Sequence, residues 1–203
     1  MSTRRPEFMY FDLGNVLLFF DHALALRAMA KVAGVDPERM RQVVWDDDLQ
    51  NRYETGLISG QEFVDTIALG LDRKLDTGEM LQAAADMFVP NHGILPVLDE
   101  VNRLGIPIGL LSNTCEAHWK WILELRYPQV VDRFDPVILS FEAKSMKPDP
   151  LIYEVATRAA KRDPGDIFFT DDRHENVDAA RVAGWQAAPF TSADRLFDII
   201  RAW

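Results

Sequence analysis

Three aspartates, a serine and a lysine could do chemistry in this sequence if the fold brings them together. Asp12 follows the apolar run Met9-Tyr10-Phe11, and Ser112, Asn113 and Thr114 close the run that begins at Pro107. Lys147 stands in Lys144-Ser145-Met146-Lys147-Pro148, and Asp171 and Asp172 close Ile167-Phe168-Phe169-Thr170. Taken singly, each has an ordinary structural reading. An Asp after a strand is a turn former or helix cap, Ser-Asn-Thr an N-cap, Lys-Pro a solvated loop and Asp-Asp an exposed turn. Together they ask for another reading. Carboxylates crowded at one place repel and raise each other's pKa, and a hard divalent cation with oxygen ligands relieves the crowding. The lysine and Ser112 would then bind the anion that completes the metal's shell.

The elements that must position these residues are legible as two textures. Short, nearly continuous apolar runs at Met9–Leu13, Pro107–Ser112, Pro136–Ser140 and Ile167–Thr170, with a short fifth at Gln186–Ala188, suit strands buried on both faces of a parallel sheet. Helical patterns separate them. Ile94–Leu104 carries one apolar stripe and has Gly105 where a C-cap belongs; Pro150–Ala160 and Val177–Val182 also read as helices. This order predicts an α/β three-layer sandwich with a central parallel sheet. Its ligand site lies at the carboxyl ends of the strands, where all the residues above fall. From about Phe19 to Pro90 the pattern is helical with no convincing strand. Leu24, Ala25, Ala28 and Met29 repeat at helical spacing, Ser59-Gly60-Gln61-Glu62 is a capping box, and Gly56, Gly60, Gly70 and Gly78 punctuate the segment. The expected division is a core of residues 1–18 and 91–203 with a small helical domain, 19–90, inserted after the first strand.

The 203 residues are 48% hydrophobic and 27% charged, enough for one core with a small appended domain. A net charge of −10 disfavours nucleic acid and anionic membranes as partners, and any phosphate site must be locally positive. The single cysteine, Cys115, forbids an internal disulfide and excludes metal sites built on cysteine pairs. No apolar run reaches membrane-spanning length, and Met1–Glu7 is not followed by an apolar signal segment, so a cytoplasmic location is expected.

The motifs Phe11-Asp12-Leu13-Gly14-Asn15-Val16, Leu110-Leu111-Ser112-Asn113, Lys147-Pro148 and Phe168-Phe169-Thr170-Asp171-Asp172 resemble, in order, the four motifs of the haloacid dehalogenase (HAD) superfamily. The helical insert is similar to that superfamily's helical cap. The Gly14-Asn15 variant resembles bacterial glucose-1-phosphate phosphatases and the phosphatase-like domain of soluble epoxide hydrolases. The resemblance implies a Mg²⁺-dependent phosphatase acting on a small phosphate ester, such as a sugar 1-phosphate, through an aspartyl-phosphate on Asp12. It implies Mg²⁺ ligation by Asp12, the Gly14 carbonyl, Asp171 and Asp172. It further implies phosphate binding by Ser112 and Asn113, and charge neutralisation by Lys147.

One departure stands out. Most phosphatases of the superfamily carry an acid–base aspartate where this chain has Gly14. Asp21, His22 and His118 are candidates to replace it, although surface or cap roles suit each of them. The departure keeps open a metal-independent 2-haloacid dehalogenase, which needs no acid, and a non-catalytic binding protein on the same scaffold. Tyr53-Glu54-Thr55-Gly56 looks like the cap turn that reaches toward the site. Asp46-Asp47-Asp48 reads as a solvated turn or helix face, and Cys115 as a buried structural thiol. The five tryptophans read as packing residues, with Trp119 or Trp121 placed to line the pocket. His92 and His174 have no evident partner, and nothing in the pattern reports the oligomeric state.

Overall fold

The computed structural model describes residues 5–45 and 48–203. Strand β1 (Phe8–Phe11) is followed by β2 (Leu18–Phe20) and five helices: α1 (His22–Ala33), α2 (Pro37–Trp45), α3 (Leu49–Glu54), α4 (Gly60–Leu71) and α5 (Thr77–Ala85). Then come β3 (Phe88–Pro90), α6 (Leu95–Arg103), β4 (Ile108–Ser112), α7 (Glu116–Leu125), β5 (Val137–Leu139) and α8 (Ser140–Ala143). The chain ends with α9 (Pro150–Ala160), β6 (Ile167–Asp171), α10 (His174–Val182), β7 (Gln186–Pro189) and α11 (Ala193–Arg201).

Five strands form a parallel sheet in the order β5-β4-β1-β6-β7. Every residue of β1 is buried, because successive side chains enter opposite layers. Met9 and Phe11 pack with Leu110 and Phe168 against Val97, Leu98 and Val101 of α6 and Leu196 and Ile200 of α11. Phe8 and Tyr10 pack with Leu111 and Phe169 against Ile152, Tyr153 and Ala156 of α9 and Ala180 of α10. Helices on both faces make this the α/β three-layer sandwich expected, and they explain why the strands lack polar alternation. The polar atoms admitted to the second layer are bonded: the Tyr10 hydroxyl donates to Ala156 O and the Tyr153 hydroxyl to Asn176 O, each at 2.8 Å.

The five helices after β2 enclose a core of their own, in which Met29, Met40, Phe63, Ile67 and Met80 are buried. The Ser59 capping box opens α4 as the pattern predicts. The segment does contain strands, contrary to expectation. β2 and β3 pair antiparallel at its two ends, Leu18 with Pro90 and Phe20 with Phe88. Three residues each are too few to show alternation, and their partners lie far apart in sequence. The buried stripe of α1 is also shifted. Ala25, Leu26, Met29, Ala30 and Ala33 face inward, while Leu24 is exposed. Of the glycines read as punctuation, Gly60, Gly70 and Gly78 lie inside helices, and Gly56 alone of the four has a positive φ, 68°. Helix α10 begins at His174 rather than Val177. Asp46 and Asp47 of the acidic triplet lie outside the described residues; Asp48 is exposed and precedes α3 in the left-handed region, φ 60°. Among the described residues no helix is long and apolar enough to cross a membrane.

Candidate active site

The strand order runs outward from β1 both ways, β4 then β5 on one side and β6 then β7 on the other, and a crevice opens at the strands' carboxyl ends beside such a switch point. Asp12 stands one residue beyond β1, its N–H held by Thr170 O at 3.0 Å. Ser112 and Asp171 end β4 and β6. Lys147 enters from the loop between α8 and α9, and a reciprocal clamp fixes that loop. The Asn113 side chain donates to Lys147 O and accepts from Lys147 N, both at 2.8 Å.

The ammonium of Lys147 is buried and all three of its hydrogens are used. It donates to Asp12 Oδ1 at 2.6 Å, Asp171 Oδ2 at 2.7 Å and Leu111 O at 2.8 Å. The Asp12 and Asp171 carboxylates raise its pKa against the opposing effect of burial, so it stays charged. Burial pushes the Asp12 carboxyl up to about 7; Lys147 works against that shift and Asp171 adds to it. Asp171 also accepts from the Arg173 N–H at 2.8 Å and from Asn176 Nδ2 at 3.0 Å on each oxygen. Asp172 is more open, with Asn15 Nδ2 donating to its Oδ2 at 2.9 Å. Asn15 reaches it from the left-handed region, φ 55°, which asparagine tolerates better than most residues.

One carboxylate oxygen each from Asp12, Asp171 and Asp172 lies within 4.8 Å of the others. Three carboxylates face one ammonium, and Arg173, which also lines the cavity, bonds Glu175 at 2.5 Å. An all-oxygen donor set with this excess of negative charge fits a hard divalent cation.

Asp12, Gly14, Ser112, Asn113, Lys147 and Asp172 line a cavity of about 170 Å³, and Asp171 stands behind them with the lysine. Sequence reasoning thus gathered the sheet-edge residues, but it missed several others. Asn176, on the first turn of α10, orients Asp171, and its place five residues after Asp171 was the available signal. Phe20, Asn51, Glu54, Phe88 and Arg173 also line the cavity and gave no sequence signal beyond the turn containing Glu54. Phe20 fills the space beside Gly14: a Cβ on Gly14 would stand 2.6 Å from its ring.

His22 and His118 line the cavity as well. Burial pushes His118 down to about 4, with His22 adding to the effect, and burial also lowers His22 against the pull of Asp21. Asp21 is the N-cap of α1, accepting from the Ala23 N–H, and does not line the cavity. Neither Trp119 nor Trp121 lines it, contrary to expectation; Trp119 packs on the core, where its indole is a better fit than in a polar crevice. Cys115 is buried at the start of α7, and burial pushes its thiol up, so it is no nucleophile. His92 has a partner, Gln129 Nε2 at 3.2 Å from its Nδ1.

The family model of haloacid dehalogenase-like hydrolases matches residues 9–184. D-ribitol-5-phosphate phosphatase of Bacteroides thetaiotaomicron is 25% identical over 191 residues, covering 91% of this chain and 92% of that protein. The (S)-2-haloacid dehalogenase of Pseudomonas sp. is 23% identical, covering 93% of this chain and 81% of that protein. Among solved structures, a HAD family enzyme of B. thetaiotaomicron in complex with magnesium and inorganic phosphate superposes with a TM-score of 0.80. It is 28% identical and covers 91% of this chain and 93% of its own.

Proposed function

The chain belongs to the haloacid dehalogenase-like hydrolase family, and on that premise we propose that it is a Mg²⁺-dependent phosphomonoester hydrolase with Asp12 as its nucleophile. The observation that carries the reading is the carboxylate trio around a single buried lysine, which makes chemical sense with a divalent cation present. Asp12 and the Gly14 carbonyl would hold Mg²⁺, and Asp172 and Asp171, the latter already bonded by Lys147, Arg173 and Asn176, would complete the protein's share directly or through water. When bound, the ion neutralises charge on the phosphoryl oxygens.

The chain's own residues do the rest. Lys147 favours the ionised form of Asp12 and aims it, and Asn113 holds Lys147 in place. The Ser112 hydroxyl and the Asn113 backbone amide hold phosphoryl oxygens. Asp12 attacks phosphorus to give an aspartyl-phosphate, dividing one hard displacement into two easier ones. Helices α1–α5, inserted at residues 19–90 of a core formed by 1–18 and 91–203, act as a cap over the crevice. Its lining is polar at Asn51, Glu54 and His22 and aromatic at Phe20 and Phe88, which suits a small phosphorylated sugar or polyol. The similarity to a protein named D-ribitol-5-phosphate phosphatase supports that class. A metal-independent dehalogenase would leave the trio of carboxylates without a purpose.

The test is phosphate release from a panel of sugar phosphates, polyol phosphates, nucleotides and phospho-acids, with Mg²⁺ or with EDTA. Turnover of a sugar or polyol phosphate that EDTA removes and Mg²⁺ restores supports the reading. No release from any member, or equal release in chelator, overturns it.

A further inference from the structure

An alkoxide leaves phosphorus poorly, so cleavage of an alkyl phosphate is helped by a group that protonates the departing oxygen. Gly14 has no side chain to do this, and the Phe20 ring occupies the space beside it. Asp12 and Asp171 are engaged with Lys147, and Asp172 belongs to the same carboxylate trio. Lys147 has no hydrogen to spare, Arg173 is too basic and is bonded to Glu175, and burial lowers the pKa of both His22 and His118. Glu54 remains.

We propose that Glu54, the last residue of α3, is the general acid of this site and then the general base for the hydrolytic water. The proposal rests on the phosphatase reading. Glu54 lines the same 170 Å³ cavity as Asp12, and it is supplied by the helical insert rather than by a strand end of the sheet. Three hydrogen bonds tie the turn from Tyr53 to Gly56 to the rest of the protein. The Ser140 hydroxyl donates to Glu54 O at 2.6 Å, Lys144 Nζ donates to Gly56 O at 2.6 Å, and the Tyr53 hydroxyl accepts from the Ala117 N–H at 3.2 Å. Tyr53 is itself stacked on Phe63. Gly56, with positive φ, allows the turn to press against the Phe141 carbonyl, which a side chain there would strike. The Glu54 carboxylate accepts from Gln50 Nε2 at 2.7 Å. Burial raises its pKa, with Gln50 and Arg173 opposing. Burial therefore acts on this acid in the sense that stocks it with a proton, and on the two histidines in the sense that strips theirs.

As an Asp12 oxygen bonds to phosphorus, the bond from phosphorus to the substrate oxygen breaks. The Glu54 proton passes to that oxygen, releasing the alcohol. Water then attacks the phosphorus of the aspartyl-phosphate and gives a proton to the Glu54 carboxylate. Asp12 departs as a carboxylate, and Glu54 is protonated again.

The experiment compares kcat/KM of wild type, Glu54→Gln and Glu54→Asp, with Mg²⁺, on phosphates whose leaving groups run from 4-nitrophenol to a simple alcohol. Glu54→Gln keeps the shape and the bond from Gln50, so its melting temperature should match wild type. It should lose roughly 10²–10⁴-fold on the alkyl phosphates and less than about tenfold on 4-nitrophenyl phosphate. Glu54→Asp should recover part of the alkyl loss. Parallel dependence on leaving group in wild type and Glu54→Gln overturns the assignment of Glu54 while leaving the phosphatase reading intact. A wild type inactive on every ester overturns both.

Discussion

The two walls of the cavity are built differently. On the sheet edge, Asp12, Lys147 and Asp171 are buried and bonded to one another and to backbone, and Asn113 and Asn176 brace them in turn. On the wall supplied by the inserted segment, Asn51 of α3 is exposed, Glu54 is half-buried, and Phe20 of β2 and Phe88 of β3 meet at a ring separation of 6.3 Å. On the phosphatase reading, the difference follows from what each wall must do. Groups that stabilise developing charge must not reorganise during the reaction, so they belong on strand ends in a dry setting. Groups that meet the variable part of a substrate need only a stable platform, and the pinned turn from Tyr53 to Gly56 supplies one.

Variants can test that contrast, beginning where the effect is greatest. Lys147→Met leaves Asp12 and Asp171 as buried carboxylates without their cation. Activity should vanish, and stability in chelator should fall by roughly 3–5 kcal/mol, as for other broken buried ion pairs. Denaturant titration with and without Mg²⁺ reads this, and the metal should restore part of the loss. A stability cost no larger than that of an exposed substitution would mean the sheet wall is not the rigid unit described. Asn15→Gly is the next step down. Glycine accepts the left-handed backbone, so only the bond to Asp172 is lost. The Mg²⁺ concentration for half activity should rise about 10–100-fold, the usual consequence of removing a partner behind a metal ligand. An unchanged Mg²⁺ requirement would remove Asp172 from the ligand set. Gly14→Asp probes where the walls meet. The new side chain must displace the Phe20 ring, an overpacking that costs ~1–3 kcal/mol, and activity should fall. Gly14→Asp combined with Phe20→Ala should recover stability, measured as melting temperature. Equal stability of the single variant and wild type would show that the ring gives way freely.

The same contrast explains what could be read from the sequence. Asp12, Ser112, Lys147 and the Asp171–Asp172 pair were legible because each follows an apolar run or a fixed loop, and strand ends converge by topology alone. The buried strands were legible because both faces are covered and the runs are unbroken. Asn15 and Asn176 were less so, since an asparagine near a turn has ordinary uses and its hydrogen-bond partner depends on tertiary geometry. Glu54 could be placed near the crevice through its turn, but nothing local says that its carboxylate is half-buried or that Gln50 is its donor. Phe20 beside Gly14 was invisible, because β2 reveals itself only through its pairing with β3, a helical domain away.

The most direct measurement follows wild type and Asp12→Asn on 4-nitrophenyl phosphate and on 2-chloropropionate, each in Mg²⁺ and in EDTA. The account predicts that wild type releases phosphate in Mg²⁺ and not in EDTA. Asp12→Asn, folded to the same melting temperature, should release less than about one part in 10⁴ of that amount, as expected for loss of a nucleophile. Halide release in chelator, or phosphate release by Asp12→Asn within tenfold of wild type, would contradict it.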